Sequence, residues 1–411
     1  MSGTRQPGAD GERRLAVLRR RDFRLLLLGQ GVSILGDRMV AVALAFAVIE
    51  IGGSASEVGL VLAAAAVPLV ASVLIGGVVA DRTSRRRVMI AADLVRIATQ
   101  GTMAALLVTG AAEVWMLAAL AGVTGLATGF FNPASTGLLP EVVPPEDLQP
   151  ANALRSTAMS AAEIAGPLTA GVLVAAAGAG WAIAADAATF AVSAACLTLL
   201  RVSAPSPGES SSFLEDLRDG WSAFRSRRWV WSFVAYFAFG NMMWAAWSAL
   251  GPLVAERELG GARAWGTVLA AIGVGALIGS LLATRIAPRR PLLHVAAMEG
   301  LFAVPLAFLA AESPVALLAL AAMVSGAGMM LGMSVWESTL QRHIPRETLS
   351  RVSSYDWFAS YAFYPLGLAL WGPLAGAIGV SQALWLAFGL FALALASLFA
   401  LPDVRRLPAA P

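Results

Sequence analysis

Asp37 lies 14 residues beyond Phe23 in an unbroken apolar run, about 21 Å along a helix. Gln30, Ser33 and Asp37 fall at i, i+3 and i+7, so they share one helical face. A carboxyl inside hydrocarbon is costly and defaults to a functional role. Here it could take up and release a proton. A static pair with the adjacent Arg38 is the alternative, but neighbouring helical residues do not face each other. In a second run, Phe237, Asn241, Trp244 and Ser248 form a comparable face. Glu163, 12 residues past Ala151, shares a face with Ser156, Ser160 and Pro167. It could bind a proton or cation, or it could be a carboxyl hydrogen-bonded to serine.

Other side chains carry less. Asn132 follows Thr124 and Thr128 at helical spacing and could line a cavity or bond a neighbouring helix. Glu337 sits near the end of its run, where gating and interfacial roles are both open. Asp186 and Glu299 are expected nearer the interfaces. Trp357, Tyr361, Tyr364 and Trp371 form a stripe, and Met329, Met330 and Met333 a cluster. Both suit an adaptable apolar pocket, or helix packing. Trp115, Trp181 and Trp385 are placed as interfacial anchors. His294 and His343 have no metal-ligand spacing, and Cys196 sits alone among aliphatic residues.

The elements that position these residues follow from composition. Of 411 residues, 58% are hydrophobic and 13% charged, with mean hydropathy +0.72. Soluble domains hold about 25% charged residues. A soluble enzyme, a disordered chain and a nucleic-acid-binding domain are all excluded. A span needs about 20 residues. Spans are expected near 22–49, 55–80, 87–110, 113–139, 151–177 and 179–201, then near 229–256, 262–287, 290–311, 313–341, 349–377 and 379–401.

All 29 basic residues are arginines. With both termini cytoplasmic, 25 of them fall on the cytoplasmic side, two outside (Arg257, Arg263) and two inside spans (Arg38, Arg96). This is the positive-inside pattern, so the basic pI of 9.6 needs no nucleic-acid partner. The domains expected are a cytoplasmic tail 1–21, a six-helix bundle 22–201, a linker 202–228, a second bundle 229–401 and a tail 402–411. Within the linker, Ser212-Phe213-Leu214-Glu215 matches a capping box, and Phe213, Leu214, Leu217, Trp221 and Phe224 share a face. A short interfacial amphipathic helix is expected there, as a coupling strap or a solvated linker.

The halves repeat. Gly36-Asp37 matches Gly240-Asn241 at an offset of 204, Ala80-Asp81-Arg82 matches Ala283-Thr284-Arg285 at 203, and Gly166 and Gly171 match Gly367 and Gly372 at 201. Six spans per half make this a parallel repeat about the membrane normal.

Gly77-Val78-Val79-Ala80-Asp81-Arg82-Thr83-Ser84-Arg85-Arg86 resembles the loop motif of the major facilitator superfamily, with Ser84 where that family usually has Gly. Gly166-Pro167-Leu168-Thr169-Ala170-Gly171 resembles its antiporter motif, with Ala170 in place of Gly. Gly29-Gln30, Ser33, Leu35-Gly36-Asp37 and Phe131-Asn132-Pro133-Ala134 resemble the branch with macrolide-efflux and enterobactin-export proteins. Span four lacks the arginine of some relatives, so no proton relay carries over there. The resemblance implies an all-α polytopic fold of twelve transmembrane helices in two six-helix bundles. Gating or conformational roles are expected for Asp81, Arg82, Arg86, Gly166, Pro167 and Gly171 in these motifs, and Glu337, which matches Thr136 by the repeat, is a gating candidate from its place near the end of its run. Arg85 and Arg87 are expected to act by charge alone.

The expected function is proton-coupled efflux of a lipophilic small molecule (drug, antibiotic or siderophore) by alternating access. Proton and substrate contacts are expected from Asp37, Glu163, Gln30, Asn132, Asn241, Trp244 and Tyr361. Uptake by symport and a non-transporting sensor or structural protein are the alternatives. No nucleotide-binding loop, metal set or catalytic constellation occurs in the sequence. The chain is therefore expected to be no enzyme and to use no cofactor beyond the proton gradient. It is expected to work as a monomer in the cytoplasmic membrane.

Overall fold

The computed structural model describes residues 17–201, 221–222, 224–286 and 288–407. Long helices dominate: α1 (Arg21–Glu50), α2 (Ala55–Arg82), α3 (Arg85–Val108), α4 (Val114–Val142), α5 (Leu148–Ala177) and α6 (Ala179–Leu199). They are followed by α7 (Arg228–Val254), α8 (Ala262–Ala283), α9 (Pro291–Ala310), α10 (Val315–His343), α11 (Arg346–Tyr361), α12 (Tyr364–Ile378) and α13 (Val380–Ala400). Only a helix or a closed barrel satisfies its backbone inside lipid, and these apolar runs take the helical solution.

Among the described residues, 11 helical segments are long and apolar enough to cross a bilayer. Helix α7 is a further candidate by its 27 residues, although its tryptophans and Asn241 lower its hydropathy. The expected span 349–377 is not continuous. It breaks at Ala362 and Phe363 into α11 and α12, with Pro365 in the first turn of α12. Proline has no N–H to donate and disfavours helix in the residue before it. The amphipathic linker helix falls mostly outside the described residues. At its end, Trp221 and Phe224 pack on Tyr355 of α11, with ring centroids 5.7 and 5.9 Å away.

Two compact units form, one from residues 17–47 and 67–201, the other from 48–66 and 221–407. In the first, α3 packs on α4 and α6, and α5 on α6. Phe23, Met89, Phe131, Leu138 and Leu197 are in its core. In the second, α10 packs on α8 and α9, α12 on α7, and α13 on α7 and α9. Buried Phe233, Trp247, Trp265 and Phe391 anchor that core.

The sequence repeat reappears as packing within each unit. A side chain at Gly166 would collide with Arg38 and the Leu35 carbonyl of α1. One at its counterpart Gly367 would collide with the Met242 carbonyl and Ala245 of α7. Small residues let helix backbones close together in lipid, and each unit uses the same glycine for the same pair of helices.

Candidate functional site

The first unit gathers most of the intramembrane charge around Arg96 of α3. This guanidinium is fully buried. Its Cζ lies 4.1 Å from the ring centroids of both Phe131 on α4 and Phe190 on α6. The two faces hold the planar cation from either side. Arg96 Nη2 donates to Asp93 Oδ1, one turn earlier on α3. Nη1 faces Asp37 Oδ1 of α1 at 3.7 Å. The Asp37 side chain is 39% exposed, whereas Arg96 and Asp93 are closed off.

Asp186 completes the group and is fully buried in α6. Gln100 Nε2 donates to its Oδ2 at 3.0 Å, and the Thr189 hydroxyl faces its Oδ1 at 3.3 Å. Gly36 has no room for a side chain because Asp186 and Thr189 press on α1 there. The glycine thus places the turn carrying Asp37 directly on Asp186. The sequence reading missed this constellation, although a signal existed. Asp93, Arg96 and Gln100 repeat at i, i+3 and i+7, the spacing of Gln30, Ser33 and Asp37.

Arg38 has a different partner. Its Nη2 lies 2.5 Å from Glu163 Oε1, and both side chains are 43% exposed. Glu163 is therefore ion-paired rather than held by serine alone, and the ion pair of Arg38 is made with Glu163 and not with Asp37. Gln30 also departs from an open polar face. It is 4% exposed, and its Nε2 donates to Ser135 Oγ at 2.9 Å, where Arg155 Nη2 also donates at 3.1 Å. It ties α1 to α4. Thr99 and Thr124 bridge α3 and α4 at 2.7 Å. Asn132 is exposed.

The cytoplasmic motif is partly visible. Asp81 and Arg82 end α2, but their side chains lie outside the described ones. Arg86 donates to the carbonyls of Leu197 and Thr198 at 2.7 and 2.5 Å. It satisfies carbonyls that the last turn of α6 leaves free. Arg85 does more than orient the chain, since it bonds the Gly137 carbonyl and Glu141, both at 2.9 Å. Gly166, Pro167 and Gly171 are buried on α5.

In the second unit the corresponding positions are mostly aromatic. Trp244 stacks on Phe302 at 4.1 Å and on Trp247 at 5.2 Å, so it is packed. Asn241 Nδ2 donates to the Ser360 carbonyl at 3.0 Å, satisfying a group near the end of α11. The aromatic stripe divides at the break. Trp357 and Tyr361 stack at 5.1 Å and remain exposed. Tyr364 donates to Ser248 Oγ at 3.0 Å and Trp371 to the Met242 carbonyl at 2.8 Å, both on α7. Asp356, which the sequence reading passed over, accepts from Trp336 Nε1 at 2.9 Å. Glu337 is exposed on α10, and Glu299 neighbours Tyr236. Among the described residues no group of three His, Cys, Asp or Glu could hold a metal.

A guanidinium facing carboxylates inside apolar helices and repeated scaffolding in two units are features of a polytopic membrane protein, and the comparisons with known proteins make it a transporter. A family model described as transmembrane secretion effector matches residues 13–410, and the chain belongs to that major facilitator family. The multidrug efflux pump Tap of Mycolicibacterium fortuitum is 28% identical over 397 residues, covering 90% of this chain and 93% of that protein. Macrolide efflux protein A of Streptococcus pyogenes is 23% identical over 370 residues, covering 88% and 91%. A bacterial homologue of the human lysosomal transporter Spinster superposes with TM-score 0.73 at 14% identity, over 98% of both chains. The nucleoside transporter NupG gives 0.74 at 12% identity, over 92% and 99%. These structures share the fold: all-α, polytopic and of major facilitator type. The chain is a multi-pass membrane transporter and not an enzyme.

Proposed function

We propose that this transporter exports lipophilic small molecules in exchange for protons by alternating access. The exported class follows the relatives, which are named for multidrug and macrolide efflux. The observation that carries proton coupling is the Asp37–Arg96 pair. A half-exposed carboxylate reaches a fully buried guanidinium at 3.7 Å, a distance that a change of charge on Asp37 would readily alter. Protonating Asp37 removes its attraction to Arg96 and leaves the cation to Asp93. A local proton thereby changes how α1 is held on α3.

The remaining assignments fit this cycle. The two sequence halves act as the rocking bundles. Asp81, Arg82 and Arg86 steady the cytoplasmic turn, Gly166, Pro167 and Gly171 let α5 move on α1, and Glu337 marks the far end of α10. Exposed Asn132 and Tyr361 contact substrate. The protein resides as a monomer in the cytoplasmic membrane, with both termini inside.

Reconstituted vesicles loaded with a macrolide test the reading. An imposed pH gradient, acid on the side from which protons enter, should drive efflux, and a protonophore should abolish it. Efflux indifferent to the gradient would sink proton coupling.

A further inference from the structure

Three carboxylates, Asp37, Asp93 and Asp186, surround the single guanidinium of Arg96. Arg96 is bonded to Asp93 and faces Asp37. Asp186 has no cation within ion-pair distance among the described residues. The charged groups facing it are Asp37 from α1 and Arg96 from α3. Its direct partners, Gln100 and Thr189, are neutral. An ionised carboxylate buried without a counter-charge is too costly to persist, and a proton removes that charge.

A second observation concerns unused bonding capacity. Arg96 Nε and Nη1 and Gln100 Oε1 are buried without a hydrogen-bond partner. All belong to side chains at most 2% exposed. Buried polar groups are normally paired. These give the guanidinium and the carboxyls donors and acceptors for a second arrangement.

We propose that Asp186 stores a proton and passes it to Asp37, so that the coupling unit is the cluster rather than Asp37 alone. In the transfer an O–H bond breaks on Asp186 and one forms on the Asp37 carboxylate. The negative charge moves from Asp37 to Asp186, and the net charge of the cluster is unchanged. The charge on Asp186 is transient: Asp37 releases its proton to water on one side, takes another from the opposite side and returns it to Asp186, which restores the stored proton and completes the exchange. Gly36 lets α1 close on Asp186, since a side chain there would meet Asp186 and Thr189, and Asp37 is the next residue on that helix.

This inference rests on the proton coupling proposed above. Infrared spectra of the purified full chain test the storage step without any substrate. The wild type should show the C=O stretch of a protonated carboxyl. Asp186→Asn should remove it, and Gln100→Leu, which deletes a hydrogen bond to that carboxyl, should move it to higher frequency. A band unchanged in both variants overturns the proposal. If Asp186→Asn does not fold, Gln100→Leu decides alone. Macrolide efflux from vesicles supplies the second arm: gradient-driven efflux should be lost in Asp186→Asn. Wild-type efflux indifferent to the gradient would remove the proton-coupled reading. Efflux driven equally in wild type and Asp186→Asn would remove only the present proposal.

Discussion

Arg96 reaches Asp37 at 3.7 Å without a hydrogen bond, while its other terminal nitrogen bonds Asp93. The guanidinium is thus committed to its own helix and only loosely engaged with α1. Two aromatic faces fix its plane, so changes in the pair fall on the α1 side.

Asp37→Asn keeps the size of the side chain and removes its charge. Gradient-driven efflux should fall by at least about tenfold, a transition-state loss of roughly 1.4 kcal/mol. The purified variant should remain monodisperse with an unchanged melting temperature, because the lost ion pair is long and half-exposed. Vesicle efflux and thermal unfolding in detergent measure the two effects. Efflux at the wild-type rate would remove Asp37 from the mechanism.

Arg96→Met should behave in the opposite way and lower stability first. It strands Asp93, which is fully buried and loses the cation it bonds. Breaking a buried pair from one side costs about 3–5 kcal/mol. Arg96→Met with Asp93→Asn should recover part of the loss, since the orphaned charge disappears with its partner. Thermal unfolding of the single and double variants checks this, and equal melting temperatures for the two would refute it.

These contrasts also mark what the sequence could disclose. Asp37 was legible because a carboxylate stands out in an apolar run whatever it touches. Its partner was not, because Arg38 is adjacent in sequence while Arg96 becomes a neighbour only in the folded unit, where it lies on a different helix. The partners of Asp186 were not legible, because distance from a span end says nothing about which helix covers it. The spans themselves were legible to within a few residues, since their length is imposed by the bilayer. The break between α11 and α12 was missed although Pro365 signals it, because hydropathy continues through the turn.

The Arg38–Glu163 pair should matter less to stability than its 2.5 Å separation suggests. Both side chains are 43% exposed, and exposed pairs contribute up to about 1 kcal/mol. Glu163→Gln should therefore leave the melting temperature nearly unchanged. It should slow efflux less than Asp37→Asn does, and the exchanged pair Arg38→Glu with Glu163→Arg should restore the rate. A Glu163→Gln variant as inactive as Asp37→Asn would make Glu163 an equal proton carrier.

The paired glycines provide a test of the repeat itself. Gly166 seats α5 on α1 at Arg38 and Leu35, and Gly367 seats α12 on α7 at Met242 and Ala245. The obstacles include backbone carbonyls, which cannot rotate aside as a side-chain tip can. Gly166→Val and Gly367→Val should each force the helix pair apart, at a cost of about 1–3 kcal/mol as for other overpacked sites. Equivalent scaffolding predicts losses of similar size in the two variants, visible as comparable drops in melting temperature. Gly376, by contrast, has open space where its side chain would go, and Gly376→Ala should be silent. A large loss at Gly166 with none at Gly367 would mean that the repeat survives in sequence but no longer carries equal mechanical load.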